Sequence, residues 1–114
     1  MKKKSLTISS EKVIRQIPFE DIVYMKSNGM FTVMHTSSKE KHGCSKNLGE
    51  IVKQLDESKL FFRVHNSHIV NLEKIKMYKK EKGGKIVMVD GAKIPVSRRK
   101  KSGFLRKYNG EKGT

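Results

Sequence analysis

The sequence predicts a mainly β domain of short antiparallel strands with one or two short helices. Three observations carry this. Apolar and polar residues alternate in short runs; these runs are punctuated by Gly- and Asn-containing pairs that favour hairpins; and only one stretch shows a well-marked i, i+3, i+4, i+7 apolar stripe. A chain of 114 residues, 35% apolar and 32% charged, suits one domain with a modest core and a large wetted surface.

Taken in order, Leu6 and Ile8 alternate with polar neighbours, and Val13, Ile14 and Ile17 do so less cleanly before Pro18. Ile22, Val23, Tyr24 and Met25 form an apolar run, and Asn28-Gly29 offers the positive φ values of a tight hairpin. Residues 30–36 return as a strand, and Ser37-Ser38 turns the chain into residues 39–44. Asn47 caps a predicted helix, with Glu50 three residues on in a capping-box arrangement. Leu48, Ile51, Val52 and Leu55 give that helix one apolar face.

Further strands follow. Residues 74–80 alternate, Gly83-Gly84 turns them back into residues 86–89, and Asp90-Gly91 leads to residues 93–96. Pro95 cannot donate to a ladder, so this last strand is expected at an edge. Ser97 is placed to cap a short C-terminal helix carrying Phe104 and Leu105, with a tail fraying from Asn109. There is no repeat or interdomain linker, so residues 1–114 read as one domain with a core of about residues 5–108.

Charge is distributed unevenly. Residues 59–107 hold 15 Lys or Arg against Glu73, Glu81 and Asp90, a net +12 of the chain's +15. Such asymmetry points to a polyanionic partner. The lone Cys44 excludes an intramolecular disulfide framework and a CxxC metal pair, which makes a cytoplasmic location the expectation. Met1-Lys2-Lys3-Lys4 resembles the start of an export signal, but no apolar segment follows it. No stretch is long enough to cross a bilayer, and no long amphipathic helix would anchor the chain to one.

Residues 61–71, Phe-Phe-Arg-Val-His-Asn-Ser-His-Ile-Val-Asn, concentrate hydrogen-bonding side chains between apolar ones. A buried strand does not need so many, so the segment reads as a loop that packs on a core and meets a polar partner. His65 and His68 invite a metal hypothesis, with Cys44 or His35 as further ligands, yet zinc ligands usually come as paired, short-spaced sets. A packed, backbone-bonded His65 is the better expectation. The acidic residues have structural explanations: Glu20 and Asp21 in a turn, Glu50 in a cap, Asp56 and Glu57 after a helix. The His-Asn-Ser-His string faintly resembles HNH nucleases, but their further ligands on a ββα unit are missing. Neither catalysis nor a cofactor is expected.

Nucleic-acid binding accounts for more. Arg98, Arg99, Lys100 and Lys101 stand in a row just past the edge strand. An Arg fork can pair with guanine O6 and N7, Lys neutralises phosphates, and Asn66 suits adenine or a phosphate. The alternative for Lys100 and Lys101 is a solvated helix face. No long basic helix and no paired stacking aromatics of the RNP kind are present, so loops on a β scaffold fit a duplex best.

Residues 62–71 resemble the central Arg-x-His-Arg/Asn-Ser-x-x-Val-Asn motif of LytTR DNA-binding domains of bacterial response regulators. Asp21-Ile22-Val23-Tyr24 with Ser27 is similar to that family's early strand, residues 48–55 to its regular helix, and Ile94-Pro95-Val96-Ser97-Arg98-Arg99 to its closing element. The resemblance implies an elongated, antiparallel multi-sheet β fold. It also implies sequence-specific duplex binding in which loops enter successive major grooves and bend the DNA. By position, it places Asn66, with Ser67 beside it, in one contacting loop, and Arg99, or its neighbour Arg98, at the base-reading Arg. The other reading loop falls at residues 26–31. Phe31 stands where some relatives have His, which shifts the expected contacts to Lys26, Asn28 or Met30. Many members carry an N-terminal receiver domain, for which this chain has no room: it is either a fragment of a longer two-component regulator or a stand-alone member.

The expected function is therefore a transcription regulator's module for double-stranded promoter DNA, with paired half-sites suiting two copies. The alternatives are an RNA- or ribosome-associated basic module and a metal-dependent nuclease built on His65 and His68.

Overall fold

Two hydrophobic cores lie on opposite faces of a five-stranded antiparallel sheet. The computed structural model describes residues 5–9, 12–55 and 59–110. The N-terminal lysines, Asp56 and Glu57, and the far end of the expected frayed tail lie outside these residues. The central sheet has the order β5-β4-β3-β7-β6. Its strands are β3 (Ile22–Asn28), β4 (Phe31–Thr36), β5 (Lys41–Cys44), β6 (Phe61–His65) and β7 (His68–Asn71).

Side-chain alternation along these strands separates the two faces. Met25, Met34 and Ile69 meet across one face and join Leu6, Ile8 and Ile17 of a two-stranded unit, β1 (Ser5–Ser9) with β2 (Ile14–Pro18). The helix α1 (Leu48–Gln54) contributes Leu48 and Ile51 to the same core. Val23, Val64 and Val70 point the other way, toward Ile86, Met88, Ile94 and Phe104. That second layer is the three-stranded sheet β10-β9-β8, made of β8 (Ile75–Lys79), β9 (Lys85–Met88) and β10 (Lys93–Pro95), together with α2 (Arg98–Leu105). The molecule measures 42 × 32 × 25 Å, longer in one direction as expected.

Local chemistry explains the helices. The Asn47 side chain accepts from the Glu50 amide at 2.9 Å while the Glu50 carboxylate accepts from the Asn47 amide at 3.1 Å, a complete capping box. Ser97 caps α2 by accepting from the Lys100 amide at 3.3 Å. Pro95 lies in β10, an edge strand, as expected.

Two expectations need correction. Residues 61–71 are not a loop but a hairpin, β6 and β7, within the central sheet. Their polar side chains are accommodated because they bond to one another and to distant backbone. Asn71, only 1% exposed, donates to the carbonyls of Ile22 (2.9 Å) and Phe19 (3.3 Å) and accepts from the Glu73 amide (2.9 Å). The first hairpin also turns one residue later than Asn28-Gly29 suggests. Asn28 pairs with Phe31, so Gly29 and Met30 form the two-residue loop, and the positive φ of 69° falls on Gly29.

Candidate nucleic-acid interface

Strand direction brings three separate segments to one end of the central sheet. β3 ends there at Asn28, and β6 ends and β7 begins there, since His68 pairs with Lys26. The Ser27 amide donates to the Ser67 carbonyl at 2.9 Å, joining the residues 28–31 hairpin to the residues 66–67 turn. On the far side, the Ser97 amide donates to the Val64 carbonyl at 2.9 Å and seats the start of α2 against edge strand β6. With strands ~4.8 Å apart, the row from hairpin tip to Ser97 spans roughly 17 Å of backbone.

The end so formed is cationic. Segments 26–31, 65–68 and 97–101 carry Lys26, Arg98, Arg99, Lys100 and Lys101 and no Asp or Glu. Lys26, Asn28, Met30, Asn66, Arg98 and Arg99 are exposed, while Lys100 and Lys101 are half-buried. The cations at the start of α2 have no acidic partner in its first turn. They sit where the helix dipole already presents partial positive charge, an arrangement that disfavours the free protein and favours a bound anion.

Ser67 is different. Its hydroxyl lies 3.0 Å from His65 Nδ1 and 3.1 Å from His68 Nδ1, and its amide donates to His65 Nδ1 at 3.2 Å. The two rings meet edge-on at 5.6 Å. The side chain thus shapes the turn from inside and leaves Asn66 projecting outward. His65 is a packed, backbone-bonded residue, and Cys44 is buried in the core on the other face of the sheet. Among the described residues no three His, Cys, Asp or Glu side chains gather as a metal cluster.

Burial, aided by the positive groups at His65, Lys26 and His35, pushes His68 down to about 4. It is therefore neutral at neutral pH, free to bond Ser67 without adding charge beneath Asn66. Across β3 from it, His35 stacks on Tyr24 with ring centroids 4.2 Å apart. Burial also lowers the His35 pKa, with Lys41 acting in the same direction, and burial followed by Asp90 raises that of Tyr24.

Two residues at this end were missed in the sequence. The Arg63 guanidinium donates to the Asn66 carbonyl at 2.7 Å and clamps the turn. Arg63 belongs to the family-like stretch at residues 62–71, but a bond closing three residues on is visible only once the hairpin exists. Lys46 is the other: buried Thr32 donates to its carbonyl at 2.8 Å, fixing an exposed cation beyond β4. No local signal marks it.

A family model for the LytTr DNA-binding domain matches residues 12–109. The chain is 34% identical over 80 residues to the CO-responsive transcriptional regulator RcoM of Rhodospirillum rubrum, covering 68% of this chain and 33% of that protein. It is 29% identical over 97 residues to an uncharacterized response regulatory protein of Vibrio cholerae, covering 82% and 37% respectively. A LytTr DNA-binding domain from Bacillus cereus superimposes with a TM-score of 0.77 at 23% identity, covering 92% of this chain and 96% of that one. The fold is that of a DNA-binding domain. The chain belongs to the LytTR DNA-binding domain family. It spans about a third of the length of these curated relatives, and its family is defined by DNA binding rather than by catalysis.

Proposed function

We propose that this chain is the sequence-specific duplex-DNA-binding module of a bacterial, cytoplasmic transcription regulator of the response-regulator type, paired in its full-length context with a signal-receiving domain. The observation that carries the reading is the convergence at one sheet end of three segments that bear five cations and no Asp or Glu, held by the Ser27–Ser67 and Ser97–Val64 hydrogen bonds. Arg99 and Arg98 read bases from one side, the residues 26–30 hairpin reads from the other, and Asn66 contacts the strand between them. Ser67 and Arg63 set the turn that presents Asn66. Lys26, Lys46, Lys100 and Lys101 supply phosphate contacts and salt dependence.

The spacing also supports bending. Successive major grooves facing one side of a duplex lie ~34 Å apart, about twice the ~17 Å backbone row. Long side chains at both ends close part of the gap, and DNA curved toward the protein closes the rest. Bending then contributes sequence preference at bases that no side chain touches. Two copies on paired half-sites extend the same contact.

The test is an unbiased duplex selection at fixed salt with wild type and Arg99→Ala, with RNA as competitor. The reading expects an enriched motif that RNA does not displace and that Arg99→Ala weakens or relaxes. Salt-sensitive binding with no enriched motif, or preference for RNA, overturns it.

A further inference from the structure

Met30 is 89% exposed, more than Ile14 at 76% or any other large exposed hydrophobic described. It occupies the second position of a two-residue loop whose first residue, Gly29, takes φ 69°. The loop cannot swing freely, because Asn28–Phe31 pairing closes it and the Ser27–Ser67 bond ties its base to the neighbouring turn. Phe31 is partly engaged at a depression shared with Ile8, Val13 and Cys44. Met30 is left alone at the tip of a rigid hairpin.

An apolar residue held there meets water unfavourably, and its surroundings indicate what would cover it. Exposed Lys26, Asn28 and Lys46 accompany it at the cationic sheet end, and charge complementarity there favours a phosphate-bearing partner. The only apolar group that a base edge displays in the major groove is the C5-methyl of thymine. A flexible, polarizable thioether adapts well to such a small apolar target.

We propose that Met30 is a specificity-determining residue that recognises a thymine C5-methyl at the groove entered by the first hairpin. The proposal rests on the duplex-binding function argued above and adds the chemistry by which this loop discriminates bases. Covering one methyl corresponds to about a fourfold change in affinity.

The experiment takes the duplex enriched by selection and replaces each thymine in turn with uracil, which removes the methyl and leaves base pairing intact. Wild type and Met30→Ala are titrated with each duplex. The expected result is one thymine per half-site at which uracil weakens wild type about fourfold and leaves Met30→Ala unaffected. Selective binding with no uracil position coupled to Met30 overturns the proposal while the duplex-binding function stands. Coupling to Phe31→Ala in place of Met30→Ala also overturns it. A selection that enriches no duplex overturns the functional reading and this proposal together. Met30 touches little of the protein, so loss of folding does not confuse these outcomes.

Discussion

The Ser27 amide and the Ser67 carbonyl, 2.9 Å apart, join two hairpins that are forty residues apart in sequence. The bond sits where β3 and β7 finish pairing, at the base of both turns. It sets how far Met30 stands from Asn66, the two turn residues proposed to meet the duplex.

Arg63 tests how the turn is held. Its guanidinium donates to the Asn66 carbonyl, but its Nε is buried with no hydrogen-bond partner. Arg63→Met removes both a favourable bond and an unsatisfied group, and Asn66 is exposed enough for water to take over its carbonyl. Denaturant unfolding is expected to change by no more than ~1 kcal/mol, while affinity for the selected duplex falls severalfold. A large loss of stability with unchanged relative affinity would assign Arg63 to the scaffold alone.

Asn71 is the opposite case. It makes three hydrogen bonds in a buried site, so Asn71→Ala removes a donor from the Ile22 carbonyl, an acceptor from the Glu73 amide and one of two donors from the Phe19 carbonyl, which still accepts from the Ile22 amide. A destabilisation of about 2–4 kcal/mol is expected in denaturant unfolding. A change below ~0.5 kcal/mol, the range of ordinary surface substitutions, would contradict the role assigned to it.

The N-terminal turn of α2 sets stability against binding. Arg98→Gln removes a charge that opposes the helix dipole, so the free domain should gain about 0.3–1 kcal/mol. Duplex affinity should fall, and preference should relax at the base that Arg98 reads. Thermal melts and titrations of the selected duplex and its single-base variants read both effects.

His68 gives the domain a pH dependence of known sign. Its folded pKa, about 4, lies below the usual histidine value of 6.5. The unfolded chain therefore takes up a proton on this residue first as the pH falls. The stability it contributes is complete above about pH 6.5 and is lost as pH falls through 4. An NMR titration of the ring should find it neutral at pH 5.5. A midpoint near 6.5 would mean that its burial against Ser67 does not persist in solution.

What could be read from the sequence was mostly local. The Asn47–Glu50 box and the Ser97 cap close within three residues, so residue types and spacing suffice. The alternation of Leu6 with Ile8 and the edge position of Pro95 were legible for the same reason. The hairpin at residues 61–71 was obscured because its polar side chains find partners far away in sequence, as Asn71 does at Ile22. The turn at Gly29-Met30 was displaced by one residue because Asn and Gly both tolerate positive φ, and the Asn28–Phe31 pairing decides between them. Lys46 depends on Thr32, fourteen residues earlier, and the meeting of three loops depends on strand order. The family resemblance supplied what periodicity could not.

The most direct test of the shared reading end is an amide chemical-shift map of the labelled domain titrated with the selected duplex. The account predicts the largest perturbations at residues 26–31, 46, 66–67 and 97–101. It predicts little change at the opposite end, around Glu20, Asp21 and residues 37–40. Perturbations centred on that opposite end, or on one of the three loops without the other two, would contradict it.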